Sequence, residues 1–332
     1  MTTKHAELFC GKRVLISGGL GFIGSNLARR LLQYGASVTI IDNLSPDFGG
    51  NPYNICGVEQ QIQTIIADIC DQEQLKNILP CQDVFFNLAA QISHVGSMQD
   101  PIIDLETNAL KQIILLEMCR KFNPAIRIVY ASTRQVYGRP QYLPVDEEHP
   151  LGPIDFNGIS KLAGELYHQV SSQIYNTRTT CLRMTNVYGP RMRVRDAHKN
   201  FLGLWFQQLI NKQAITIYGD GHQLRDLNYI DDIVNALLIC AASPQAEGQV
   251  YNLGDHPISL LELAKTIIEV NGSGNYCFMP FPQEREKIDI GNYYSNYDKI
   301  QTQLGWKPST SLCAGIEKTL EFYRANWSHY TS

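Results

Sequence analysis

The sequence predicts an α/β fold: a doubly wound parallel sheet of the Rossmann type, followed by a smaller mixed α/β lobe. Three observations carry that prediction. Apolar runs suited to buried strands recur at residues 14–16, 38–41, 84–86 and 126–130. Turns and helix-like amphipathic stretches separate them, which is the rhythm of a parallel sheet with crossover helices. The first run then breaks into Gly18, Gly19, Gly21 and Gly24 before a helical segment over 25–34 begins.

That first unit also predicts a ligand. Strand, glycine turn and helix in that order suit a dinucleotide pyrophosphate, because one glycine makes the turn, one admits the phosphates and one lets helix pack on strand. The second run ends in Asp42, at the separation where a carboxylate meets the adenosine ribose. Such an acid accepts from both ribose hydroxyls and repels a 2′-phosphate. Asn43, Leu44 and Ser45 follow it, with no arginine, so NAD is favoured over NADP.

A chain of 332 residues needs one large or two moderate domains. The expected division is 1–179 for the NAD-binding domain and 180–332 for a substrate lobe, with some segments of the lobe returning to the sheet. Hydrophobic residues at 44% and charged ones at 18% describe an ordinary globular protein. A net charge of −4 gives no overall pull toward nucleic acid or anionic membrane, and neither is an expected partner. The nine cysteines are scattered and form no C-x-x-C, so reduced thiols in a cytoplasm are expected, and no metal. Residues 1–12 lack the apolar stretch of a signal peptide, and no apolar run is long enough to span a membrane.

In chain order, a turn-rich loop over 45–56 leads to a third strand ending at Asp68 and Ile69. Asp68 fits either a place beside the adenine or a cap for the helix suggested by Asp71, Gln72 and Leu75. The fourth strand ends in Asn87, Leu88, Ala89 and Ala90, small enough to let backbone approach a cofactor. A long helix over about 102–122 carries Asn108, and the fifth strand runs into Ala131, Ser132 and Thr133. A helix from Asn157 passes through Lys161, Ala163, Glu165 and Tyr167. Residues 179–184 read as a further strand and 186–195 as an arginine-dense turn. Beyond, Ser259 to Glu262 forms a capping box before a helix to about 270, and a last helix covers about 313–327.

Together, GGLGFIG, Asp42, Asp68, NLAA, STRQVYG, an S-K-x-A-G-E helix, LRMTNVYGPR and YGDGHQLRDLNYIDD resemble the extended short-chain dehydrogenase/reductase family. Within it, the chain is similar to NAD-dependent nucleotide-sugar epimerases, dehydratases and decarboxylases such as UDP-glucose 4-epimerase. The resemblance covers essentially the whole chain. It implies that NAD oxidises a sugar hydroxyl to a 4-keto sugar, which rotates, eliminates or decarboxylates before being reduced again. It implies NAD contacts from Gly18, Gly21, Phe22, Ile23, Gly24, Asp42, Asn43, Asp68, Ile69, Leu88, Ala89, Ala90, Gln91, Asn108 and Lys161. Thr133 matches the hydroxyl that bonds the sugar oxygen. Lys161 matches the lysine that lowers the pKa of a tyrosine four residues before it and binds the nicotinamide ribose. A homodimer formed by two helix pairs, about 103–122 and 157–175, is also implied.

That tyrosine is missing. Asn157 stands in its place, and an amide does not ionise near neutral pH, so it is no phenolate base. Tyr167 lies six residues past Lys161, on another face of the helix. Tyr137 belongs to the common VYG element. Three readings are compatible: a water or another side chain relays the proton, the reaction differs from ordinary 4-epimerisation, or only binding is retained.

Two further departures bear on the subclass. Dehydratases carry Asp-Glu after the threonine and decarboxylases a Glu before Val-Tyr, whereas this chain has Arg134 and Gln135. Arg134 could attract an anionic group such as a uronate carboxylate, or turn to solvent. Asn186 and Arg225 match diphosphate-binding positions. Arg191 and Arg193 add positive charge nearby and Arg285 is a further candidate, one residue off the usual spacing before Asp289; a solvated loop or a subunit contact fits the loop arginines equally well. The expected function is a 4-epimerase of a UDP- or related NDP-hexose or uronate. A lyase of the same family and a silent nucleotide-sugar binder are the alternatives.

Overall fold

The computed structural model describes residues 7–45, 48–195 and 200–331, without the side chains of Glu284 and Arg285. The expectation for Arg285 therefore lies outside the described residues. Strand β1 (Arg13–Ser17) leads through the glycine turn into helix α1 (Phe22–Gln33). Then come β2 (Ser37–Asp42), β3 (Ile62–Ile66), α2 (Gln72–Ile78) and β4 (Val84–Asn87). Helices α3 (His94–Gln99), α4 (Pro101–Leu105) and α5 (Lys111–Phe122) precede β5 (Arg127–Thr133). Helix α6 (Phe156–Tyr175) and β6 (Arg178–Met184) follow. All of these strands are parallel, in the order β6-β5-β4-β1-β2-β3.

The central strands are buried on both faces, which is why they read as unbroken apolar runs: Val14, Leu15 and Ile16 are all fully buried. The order reverses between β1 and β4, and a crevice opens there beyond the carboxyl ends of the strands. Register puts Ser17 beside Ile41 and Asn87, so the strand ends form one edge above that crevice. Ser17 Oγ donates to Asn87 Oδ1 and accepts the amides of Leu88 and Ala89, pinning the β4 exit to the glycine turn.

Two expectations about the chain change in the structure. The long helix is interrupted by one π-helical turn, Glu106–Leu110, so Asn108 sits in a wide turn rather than a regular helix. The arginine-dense turn begins as a strand, β7 (Asn186–Tyr188).

After α7 (Phe201–Ile210) come β8 (Ile215–Tyr218), β9 (Leu224–Arg225), β10 (Leu227–Tyr229) and α8 (Ile230–Ala242). Strand β11 (Val250–Asn252) then rejoins the sheet beside β6 as its seventh member. The remaining elements are β12 (Ile258–Ser259), α9 (Leu260–Asn271), β13 (Tyr276–Met279), α10 (Gln283–Glu286), α11 (Asp298–Leu304), α12 (Leu312–Asn326) and α13 (Ser328–Thr331). The lobe outside the sheet rests on the two-stranded pairs β10-β7, β12-β9 and β13-β8. The Ser259 capping box before α9 is present in full. Among the described residues, no helix is long and apolar enough to cross a membrane.

Candidate active site

The nucleotide end of the crevice is made by backbone. Gly18 has φ +66°, and a Cβ on Gly24 would stand 2.4 Å from the Gly18 carbonyl oxygen, so neither position tolerates a side chain. Gly21 starts α1 without a side-chain cap, leaving the first helical N–H groups to face an anion. Asp42 is buried, accepting Leu20 N–H at 3.0 Å and Leu44 N–H at 2.9 Å. Burial pushes its carboxyl up, against those two amides. Each carboxylate oxygen keeps a lone pair for a ribose hydroxyl.

Asp68 is not the cap of α2; Asp71 takes that role, accepting Gln74 N–H at 3.1 Å. Asp68 instead faces the crevice, paired with Lys111 at 2.6 Å and reached by Asn43 at 3.4 Å. Burial opposes its charge, yet Lys111 and Cys70 hold its carboxyl below the usual range. Of the NAD-binding set expected from sequence, every member from Gly18 to Ala90 lines this crevice. Lys111, Thr107, Met192 and Arg193 line it too. Lys111 was beyond sequence reasoning because its partner lies 43 positions earlier. Arg193, expected among the arginines that add positive charge near the diphosphate, lines this crevice.

Gln91, Asn108 and Lys161 do not line that crevice; all three are buried. The Asn108 amide exchanges hydrogen bonds with the backbone of Gln91, donating at 2.9 Å and accepting at 3.2 Å. Asn157 is buried, its Nδ2 donating to Gln91 O at 2.9 Å and to Asp104 Oδ2 at 3.0 Å. The residue in the tyrosine position thus ties α6 to the β4 exit and to α4. Lys161 Nζ donates to Ala131 O and sits 4.4 Å from the centre of the Tyr130 ring. Burial pushes its ammonium down to about 8, although Asp104 and Glu165 favour the charge. Thr133 Oγ1 accepts Gln135 N–H at 3.3 Å and caps the turn after β5.

Neither Tyr137 nor Tyr167 takes the vacant role. The Tyr137 hydroxyl is buried between Asn252 and Arg183, and burial pushes it up to about 12. Tyr167 packs against the core between α2 and α5. What sequence reasoning missed is His94, at the start of α3. Its Nδ1 lies 2.8 Å from Asp155 Oδ2 and its Nε2 lies 2.8 Å from Gln135 Nε2. Asp155 also caps α6 through Gly158 N–H. Burial opposes the Asp155 charge, but His94 holds its carboxyl below the usual range. Only the fold unites these three residues, which come from separate segments.

On the lobe side, Arg134, Asn186 and Arg225 converge. Arg134 Nη2 approaches Asn186 Oδ1 at 3.5 Å, its guanidinium lies 5.1 Å from the Tyr293 ring, and its Nη1 is buried without a partner. Arg134 is therefore not turned to solvent. Arg225 is buried and pairs with Asp289 at 3.3 Å; burial and Arg134 push it down to about 10. Asp226 beside them is pushed up to about 7 by burial. Arg191 is elsewhere: it donates to Asn26 at 2.9 Å and lies over the Phe322 ring, beside α1 and α12.

A glycine-turned crevice holding Asp42 at the sheet's switch point defines a dinucleotide-binding protein of the Rossmann class. Residues 14–254 match the NAD dependent epimerase/dehydratase family, and this chain belongs to it. It is 33% identical over 316 residues to a putative UDP-glucose 4-epimerase of Methanocaldococcus jannaschii, covering 94% of this chain and 99% of that protein. An epimerase from Methanothermobacter thermautotrophicus superposes with a TM-score of 0.90 at 30% identity, over 98% of this chain and 96% of its own. A Bacillus cereus UDP-glucuronic acid 4-epimerase solved with UDP-glucuronic acid and NAD has a TM-score of 0.83 at 27% identity, over 95% and 99%.

Proposed function

We propose that this protein is a nucleotide-sugar 4-epimerase, acting on a UDP- or related NDP-hexose or uronate through a transient 4-keto sugar. The observation that carries the reading is the pair Arg134 and Gln135. Relatives that eliminate or decarboxylate place carboxylates there, and this chain offers a guanidinium and an amide. Thr133 and Lys161 remain to bind the sugar oxygen and the nicotinamide ribose. NAD, when bound, supplies reversible two-electron oxidation at the sugar carbon. Asp42 would hold its adenosine ribose and the N-terminus of α1 its pyrophosphate. Arg225 and Asn186 would hold the substrate diphosphate, and the unpaired Nη1 of Arg134 suits an anionic oxygen near the sugar.

A homodimer belongs to the same proposal. The outward faces of α4, the π-helical turn, α5 and α6 expose Ile102, Leu110 and Ile113 beside Ile159, Leu166, Val170 and Ile174. On α6 these residues recur at helical spacing, opposite the face that carries Lys161, so two copies would bury the stripe between helix pairs. Light scattering should give twice the chain mass, and Val170→Glu should give monomers.

The function is tested by incubating the purified protein with UDP-glucose, UDP-N-acetylglucosamine and UDP-glucuronate and resolving the products by NMR. The expected result is a C4 epimer with no net NADH. A 4-keto-6-deoxy sugar or a decarboxylated pentose would make it a lyase, and binding without turnover a silent binder.

A further inference from the structure

We propose that His94, oriented by Asp155, is the proton acceptor for the sugar hydroxyl in place of the missing tyrosine; this rests on the epimerase reading above. The geometry is that of a buried carboxylate behind a half-exposed imidazole. The side chain of Asp155 is 2% exposed and that of His94 34%. An ionised carboxylate only accepts, so the Nδ1 proton belongs between His94 and Asp155, which leaves the Nε2 lone pair facing Gln135. The Gln135 amide N–H donates to that lone pair, and a sugar hydroxyl would compete for the same contact.

Place supports the chemistry. Thr133 Oγ1 accepts Gln135 N–H at 3.3 Å, so the hydroxyl and the imidazole flank the same residue at the end of β5. Asp155 stands two residues before Asn157, on the turn that opens α6. The other polar side chains there are committed: Asn157 to Asp104 and Gln91, Lys161 to Ala131, Tyr137 to Asn252. The Asn157 amide is buried and fully engaged, and the base comes from α3.

The step balances. The sugar O–H bond breaks and its proton passes to Nε2. The electron pair left on oxygen closes the C=O bond while the two electrons of the C–H bond go to NAD, the oxidant of this family. The imidazolium is stabilised by the Asp155 carboxylate and returns its proton when the ketone is reduced. Asp155 is a positioning residue, fixing the tautomer and the ring.

The test uses the NAD-loaded enzyme with UDP-glucose, UDP-N-acetylglucosamine and UDP-glucuronate. Diethyl pyrocarbonate labelling, mapped by mass spectrometry, should find His94 protected by a bound nucleotide sugar while exposed His256 reacts unchanged. His94→Gln should keep sugar affinity by calorimetry but lose about 10²–10⁴-fold in epimerisation rate. His94→Asn, read the same way, covers a failure of that variant to fold. Free imidazole should restore part of the rate to His94→Gly, which a structural role would not allow. Undiminished turnover in His94→Gln, or a bound sugar that leaves His94 fully reactive, would overturn the role of His94 and leave the epimerase reading standing. Protection of His94 without turnover of any of the three sugars would overturn both.

Discussion

The two ends of the crevice are built from different materials. At the nucleotide end, glycines bring the backbone to the ligand, and Asp42 accepts one amide from the glycine turn (Leu20) and one from its own turn (Leu44). At the reacting end, side chains from α3, α4, α6 and the ends of β4 and β5 bond to one another around the place where a phenol is missing. Backbone recognition depends on a short run of local sequence. Side-chain recognition depends on where distant segments meet. The first end therefore resists substitution sterically, while the second can exchange one proton carrier for another if the network is rebuilt.

The largest effect expected at the nucleotide end comes from filling it. Gly24→Val places carbon atoms where a Cβ alone would stand 2.4 Å from the Gly18 carbonyl oxygen and 2.7 Å from the Gly19 Cα. The expected outcome is a protein that purifies without NAD and loses stability at the upper end of about 1–3 kcal/mol. Retention of NAD in near-stoichiometric amount after denaturing release would show that the turn is not the pyrophosphate site.

The reacting end should reveal its dryness through acid. His168 stacks on Tyr130 at 4.2 Å beneath Lys161, with Nδ1 2.9 Å from Gly164 O. Burial pushes its imidazole down to about 4 from an ordinary 6.5. The unfolded chain therefore binds a proton first as pH falls, and stability present above pH 6.5 drains away toward pH 4, by about 3 kcal/mol. Chemical denaturation across that window should show the slope, and His168→Phe should flatten it. An unchanged slope would mean that other groups carry the acid sensitivity.

A smaller effect is expected on the lobe side. A charge-assisted hydrogen bond contributes about 1.5–3 kcal/mol, so Arg225→Ala should weaken UDP binding roughly ten- to a hundredfold. Arg191→Ala should leave UDP affinity unchanged, since Arg191 is turned toward Asn26 and Phe322. Equal losses in the two variants would put Arg191 back among the phosphate ligands.

The same contrast explains what was legible in the sequence. The sheet was, because strands buried on both faces read as apolar runs and the glycine turn has fixed spacing. Asp42 and the β4 exit followed from position alone. Asn108 and Asn157 could be placed on their helices, but not their joint burial with Asp104, since that needs the π-helical turn that shifts Asn108 round. Arg134 was open between solvent and substrate until the Tyr293 ring, 159 positions away in sequence (293 − 134), was seen to cover it. His94 had no motif at all. Its meaning depends on Asp155, 61 positions later, and on Gln135.

The central claim is that sugar oxidation and reduction survive in this crevice without a tyrosine. UDP-glucose and UDP-glucuronate deuterated at C4 test it most directly. The epimer formed should keep its deuterium at C4 when the reaction is run in ordinary water, because the hydrogen leaves and returns inside a closed crevice. Loss of the label to solvent, or an epimer altered at another carbon with the C4 deuterium never moved, would contradict the account.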